Sequence, residues 1–219
     1  MSESPWAPER SRRKGAPKSG RIIEIITVVL LALGTLGSAW SAFQVSRWNG
    51  VETDEARTSA SFRVDASREY ALATQTVAYD AAAVSQYAQA ISSDNANLQR
   101  FIRETIVRPA FLPILDNWEE QIAAGELPTN LLQNQEYLDA LLEPSRDLDA
   151  KALAASVQSE DAGDTGDDYI RLTLFFASAL FFAGITASFS TRVPKLALLV
   201  AAGATLAVAG ALLIDYPVA

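Results

Sequence analysis

Cysteine and histidine are both missing from the 219 residues, and methionine occurs once. Disulfides, thiolate nucleophiles, Cys/His zinc sites and imidazole-ligated haem are therefore excluded, and the commonest general base is gone. The missing cysteine identifies no compartment, because a helical protein needs no disulfide anywhere. No stretch alternates apolar and polar residues over a strand's length, so no strand is expected. Carboxylates are plentiful, but no spacing gathers them into a recognisable catalytic group. The expectation is a chain that is not an enzyme, with no catalytic residue, no cofactor and no metal ligand.

Charge is present but segregated. Residues 1–21 carry six basic side chains (Arg10, Arg12, Arg13, Lys14, Lys18, Arg21) against Glu3 and Glu9, whereas residues 47–168 carry nine basic against twenty-two acidic. From Tyr169 to Ala219 there are three basic residues and one acid. Three apolar runs separate these regions. Residues 22–45 hold a single charge, Glu24, in their first turn. A helix crosses a hydrocarbon core of about 30 Å with about 20 residues, so this run suffices. Residues 169–190 form a second candidate, with Arg171 near enough to its end to snorkel. Residues 196–214 carry no charge and nine Leu, Ile and Val. Each of those favours insertion by roughly 0.3–0.6 kcal/mol at central positions. The second and third runs are expected to insert as a hairpin through the link 191–195.

These runs predict an all-α integral membrane protein: three transmembrane helices and an extramembrane helical hairpin or bundle. The expected order is a disordered basic cytoplasmic head (1–21), a first span (22–45), an acidic helical extracytoplasmic domain (46–168), a second span (169–190), a cytoplasmic link (191–195), a third span (196–214) and an outer tail (215–219). Orientation follows from Arg192 and Lys195 in the short link and from the basic head, which the positive-inside rule assigns to the cytoplasm. The location this orientation predicts is a plasma membrane. A signal peptide cut after Ala39 is the rival for the first run, but that run exceeds an h-region of about 7–15 residues. The partners expected are the lipid bilayer, anionic lipid at the basic head and, in a homo-oligomer, further copies of the chain. No nucleic acid is expected, because topology already accounts for the basic charge.

Residues 51–92 contain neither proline nor glycine. Tyr70, Val77, Val84 and Ile91 recur every seventh position, with Ala73, Ala81, Tyr87 and Ala88 filling the stripe, as in a coiled-coil seam. Asp80 interrupts it. Gly50 is a candidate break from the first span, and Ser92-Ser93-Asp94 a candidate stop and cap. Pro109 opens a short helix that should end at Gly125. A leucine-rich helix (Leu131, Leu132, Leu138, Leu141, Leu142) should be interrupted at Pro144 and followed by a last helix over 146–158.

The segments Ser46-Arg47-Trp48-Asn49-Gly50, Arg108-Pro109-Ala110-Phe111-Leu112-Pro113 with Trp118, and residues 174–185 (LFFASALFFAGI) resemble a group of uncharacterised bacterial membrane proteins. The resemblance implies one N-terminal span, a helical middle and a two-span hairpin, in a bacterial inner (plasma) membrane. It transfers no activity and no residue role.

The remaining candidates come from individual side chains. Asp161, Asp164, Asp167 and Asp168 suggest calcium, but an EF-hand loop needs alternate ligands and a distant Glu, so a flexible solvated linker is expected. Glu24 is expected in a polar interface with Arg21, Arg192 or Lys195 rather than as a proton site. Small residues at fourfold spacing (Gly34 with Ser38, Gly37 with Ser41, Ala179 with Ala183 and Ala187, Gly203 with Ala207 and Ala211) let helix backbones approach closely. Trp40, Trp48, Tyr169 and Tyr216 suit interfacial belts. Arg100, Arg103 and Arg108 suggest an anion site, although Glu104, Asp116, Glu119 and Glu120 favour ion pairs instead. The function expected is non-catalytic: a helical outer domain for self-association or partner binding. The alternative is a subunit of an oligomeric channel or transporter, which needs polar residues facing one another at mid-bilayer, where the sequence offers Thr27, Thr35, Ser38, Ser178, Thr186 and Thr205.

Overall fold

The computed structural model describes residues 18–127, 130 and 134–219. The basic head before Lys18, and Leu131 and Leu132, lie outside the described residues. Helix α1 runs Lys18–Ser92 and passes Gly50 without a break. After it come α2 (Ala96–Phe101), a π turn (Ile102–Ile106), a 3-10 turn (Pro109–Phe111) and α3 (Leu112–Ala123). Helix α4 (Gln135–Ile185), a 3-10 turn (Thr186–Ser188) and α5 (Arg192–Asp215) complete the order. The fold is all-α, with no strand among the described residues. Helices α1, α4 and α5 are each long and apolar enough to cross a membrane.

The ends of the shorter helices follow local chemistry. Past Ser92, Asp94 takes φ 54° and Asn95 N–H reaches back to Ala90 O at 3.0 Å, closing α1 with a Schellman-type turn. The cap of α2 is therefore Asn95, whose side-chain oxygen accepts from Leu98 N–H at 3.1 Å, one residue beyond the expected Asp94. Gly125, at φ 77°, ends α3 where the sequence places the stop.

Two expected interruptions do not occur. Pro144 lies inside α4; its ring removes one backbone donor, and the helix continues on either side. The acidic stretch 159–168 is also helical rather than a linker. Its small residues explain this. Ala162 is buried, and a Cβ on Gly166 would stand 3.0 Å from Asn49 Oδ1. The glycines thus face α1 closely, while Asp161, Asp164 and Asp167 take the exposed positions of the same turns.

The chain divides into two compact units: residues up to Glu52 together with Glu160–Ala219, and Thr53–Ser159. In the second unit, Ser59, Ala66, Ala73, Asp80 and Tyr87 are buried residues of α1, seven positions apart. The stripe begun by Tyr70 is rotated off this line, and Tyr70 is 58 % exposed. Small side chains win the seam because the two backbones come close: Ser59 Oγ donates to Ala152 O of α4 at 2.8 Å. Larger residues pack where the turns cross α1: Ile102, Val107, Phe111 and Leu115 against Ala83, Tyr87, Ala90 and Tyr137.

In the first unit, Tyr169, Leu172 and Phe176 of α4 pack with Ala209 of α5. A Cβ on Gly37 would lie 2.3 Å from Phe176 Cε1, and one on Gly34 2.9 Å from Leu180 Cδ2. Both glycines are the condition for α1 to reach α4 at that depth. Tyr169 is fully buried and meets Tyr216 edge-on at 5.6 Å.

Candidate functional site

The densest polar chemistry in the second unit surrounds Asp80, whose side chain is 1 % exposed. A carboxylate in that position is stable only when its lone pairs are filled. Arg108 fills both oxygens, through Nε on Oδ1 at 2.9 Å and Nη2 on Oδ2, and the Tyr137 hydroxyl also donates to Oδ2. Three elements supply the three groups: α1, the extended residue before the 3-10 turn, and the first turn of α4. Burial, then donation to Asp80, pushes the Tyr137 hydroxyl well above its ordinary range, so it stays protonated. The hydrogen bond to Asp80 raises Arg108 as well.

One turn along, a second group repeats the logic in a wetter setting. Arg103 donates to Glu119 at 3.0 Å and to Asp116, while Tyr87 O–H donates to Glu119. Burial and then Glu119 raise the Tyr87 hydroxyl. The π turn, which carries Arg103 and ends two residues before Arg108, makes both reaches possible. It ends with Val107 N–H on Ile102 O at 2.9 Å and releases Val107 into an extended conformation. Arg103 thus points toward α3, and Arg108 toward α1. Tyr79 O–H anchors the same turn at Ile106 O, 2.9 Å away.

Beside Arg108 opens a cavity of about 480 Å³. Its walls are Ala110, Pro113 and Ile114 on one side and Ala140 and Leu141 on the other, with Asn117, Asn134, Glu136 and Tyr137 as the polar remainder. Asn134 caps α4: its Oδ1 accepts from Tyr137 N–H at 3.0 Å. Asn117 Oδ1 accepts from Gln121 Nε2 at 2.7 Å. Neither NH2 group has an acceptor among the described residues.

The first unit holds the other polar node. Gln44 and Ser41, both fully buried, lie on one face of α1. Gln44 Oε1 accepts from Ala219 N–H at 3.1 Å, while Gln44 Nε2 and Ser41 Oγ have no partner among the described residues. Trp48 Nε1 and Tyr169 O–H both donate to Pro217 O at 3.2 Å, tying the tail to α1 and α4.

The residues singled out from sequence are distributed as follows. Glu24 and Arg192 are exposed and Lys195 is half-buried, and no ion pair joins them among the described residues. Gly34, Ala179 and Ala183 are buried and Ser38 is half-buried. A Cβ on Gly203 would meet no atom within 4 Å, and Ala207 is exposed. On α5 the buried small residues are Ala202 and Ala209. Arg103 pairs with Asp116 and Glu119, as an ion pair joining two elements rather than along one helix face. No group of three or more acidic side chains converges to hold a metal ion among the described residues. Sequence reasoning does not find the Asp80 cluster, whose one signal is an acid standing in an apolar stripe.

Comparison of the chain with family models, curated proteins and solved structures returns no match. A functional reading therefore rests on the geometry alone.

Proposed function

We propose that this chain is a non-catalytic protein of a bacterial inner membrane, holding a helical domain outside the cell's permeability barrier for contact with a second copy or a partner. The positively charged head and the Arg192/Lys195 link support a cytoplasmic N-terminus, which leaves the acidic residues 46–168 and the tail outside. The heptad-spaced buried row of α1 supports a coiled-coil-like pairing with α4 inside that domain.

One observation carries the reading. In an acidic, water-facing unit, Val64 and Leu72 of α1 are 59 % and 50 % exposed, and Leu153 and Val157 of α4 are 65 % and 48 % exposed. Leu153 and Val157 are four residues apart and share a helix face, an arrangement suited to another helix. The channel alternative has weaker support. Thr27, Thr35, Ser178 and Thr205 each donate to the carbonyl four residues back, at 2.7–2.9 Å, so they need no water-filled path. A photo-crosslinking residue at Leu153, irradiated in intact cells, tests the proposal. A covalent adduct is expected, with a mass that distinguishes a second copy from a different partner. Efficient incorporation with no adduct refutes contact at this face.

A further inference from the structure

The cavity beside Arg108 is independent of what covers the outer faces, and its chemistry is specific. Arg108 spends Nε and Nη2 on Asp80. Its side chain is still 33 % exposed, and Nη1 makes no bond among the described residues. The Asn117 and Asn134 NH2 groups add neutral donors around the same space, leaving three donor groups without an acceptor among the described residues. Against them stands one carboxylate, Glu136, exposed and without an ion pair among the described residues. Ile114, Pro113 and Leu141 supply an apolar wall.

Charge decides among ligands. Asp80, Arg108 and Glu136 together leave one unbalanced negative charge. A simple anion would satisfy the donors but meet Glu136; a simple amine would satisfy Glu136 and leave the donors empty. A molecule carrying a carboxylate and an ammonium a few bonds apart satisfies both ends, and an apolar side chain would cover the wall. The cavity volume falls within the range of about 300–1,000 Å³ common for small-molecule sites. We infer that this cleft binds a free α-amino acid with an apolar side chain: carboxylate toward Arg108 and the asparagine amides, ammonium toward Glu136, side chain against Ile114 and Leu141.

Titration calorimetry on the full chain in detergent micelles tests this with leucine, leucinamide, N-acetyl-leucine and the dipeptide Leu-Leu. Leucine should bind. Leucinamide and N-acetyl-leucine, each lacking one charge, should bind roughly tenfold to hundredfold more weakly, the loss of one charge-assisted hydrogen bond. Glu136→Gln should weaken leucine by a similar factor while leaving N-acetyl-leucine nearly unchanged. Because Glu136 is exposed and makes no ion pair among the described residues, and loses in the variant only a charge in the first turn of α4, the unliganded variant should melt within about a few degrees of the wild type, which separates lost binding from lost folding. Asn117→Leu should weaken leucine and N-acetyl-leucine alike. The assignment is overturned by no leucine binding at millimolar concentration, by N-acetyl-leucine binding as well as leucine, or by an unaltered Glu136→Gln affinity. Tighter binding of Leu-Leu than of leucine overturns the free amino acid in favour of a peptide.

Discussion

Replacing Arg108 by methionine keeps a flexible chain of similar reach and deletes the guanidinium. Asp80 then keeps one donor, the Tyr137 hydroxyl, at a site where 1 % of its side chain meets solvent. Removing one partner of a buried pair costs about 3–5 kcal/mol, because the other charge stays behind uncompensated. Arg108 is 33 % exposed, so water can follow it into the vacated space, and the lower end of that range, about 3 kcal/mol, applies. Asp80→Leu should cost less, about 1–3 kcal/mol, since Arg108 can turn to solvent and only the Tyr137 hydroxyl is orphaned. Removing all three partners together (Asp80→Leu, Arg108→Met, Tyr137→Phe) leaves no unpaired group. That variant should return to within about 1–2 kcal/mol of the parent. Chemical unfolding of the full chain in micelles, followed by helical circular dichroism, measures each step. The reasoning fails if Arg108→Met costs under about 1 kcal/mol, or if the triple variant is less stable than the single one.

Other consequences are more local. Gly37→Ala puts a methyl group 2.3 Å from the Phe176 ring and should lower stability by about 1–3 kcal/mol. Gly50→Ala meets nothing within 4 Å inside a helix and should raise it by about 0.5–1 kcal/mol. Melting temperatures of the two variants, measured side by side, check the contrast. Tyr137 keeps its proton in the folded chain beyond the ordinary value of 10.0. Stability tied to it is therefore complete below about pH 10 and declines above, by up to about 1.4 kcal/mol per pH unit as the unfolded hydroxyl ionises first. Tyr137→Phe should flatten that decline in an alkaline unfolding series; Tyr87, also raised, keeps it from vanishing. Finally, Glu104→Cys in a chain with no native cysteine should react with an impermeant maleimide in intact cells. Reaction only after lysis reverses the proposed orientation.

The sequence makes the three apolar helices legible because length and absence of charge are local properties. The stop at Gly125 is legible for the same reason: a backbone at φ 77° favours glycine wherever it occurs. The rest depends on which surfaces meet, and no local rule reaches it. A stripe drawn through Tyr70 and Val77 follows apolar size, whereas the buried seam of α1 follows smallness. Ser59, Ala66 and Ala73 are buried because α4 comes near enough for a serine to reach its backbone. The acidic run 161–168 misleads for a related reason. Composition alone describes a linker, and only the placement of Ala162 and Gly166 against α1 makes it a helix. Asp80 is visible as an anomaly, but its partners lie 28 and 57 residues away in the chain, and no spacing rule connects them.

That anomaly supplies what the small residues cannot. Within the second unit, Ser59, Ala66 and Ala73 present nearly interchangeable surfaces at seven-residue intervals, so the packing of that stretch alone does not choose between registers of α1 one heptad apart; the contacts of Gly34 and Gly37 with α4 in the first unit are the other constraint. A slide of one heptad would bring Ala73 or Tyr87 to the place opposite Arg108, leaving the guanidinium and the Tyr137 hydroxyl without an acceptor, at a cost comparable to breaking the pair. Asp80 thus acts as a polar residue at a seam position can, by making one register far better than its neighbours. The triple apolar variant separates this role from stability. In the parent, Ser59→Cys with Ala152→Cys, two buried positions where the helix backbones meet, should cross-link more readily than any pair shifted by a heptad. In the triple variant that preference should weaken, and the out-of-register pair Ala66→Cys with Ala152→Cys should begin to cross-link. Should the triple variant instead keep the full Ser59/Ala152 preference and show no shifted pair, the close packing of alanine, serine and glycine specifies the register unaided, and Asp80 is there for Arg108 and the cleft alone.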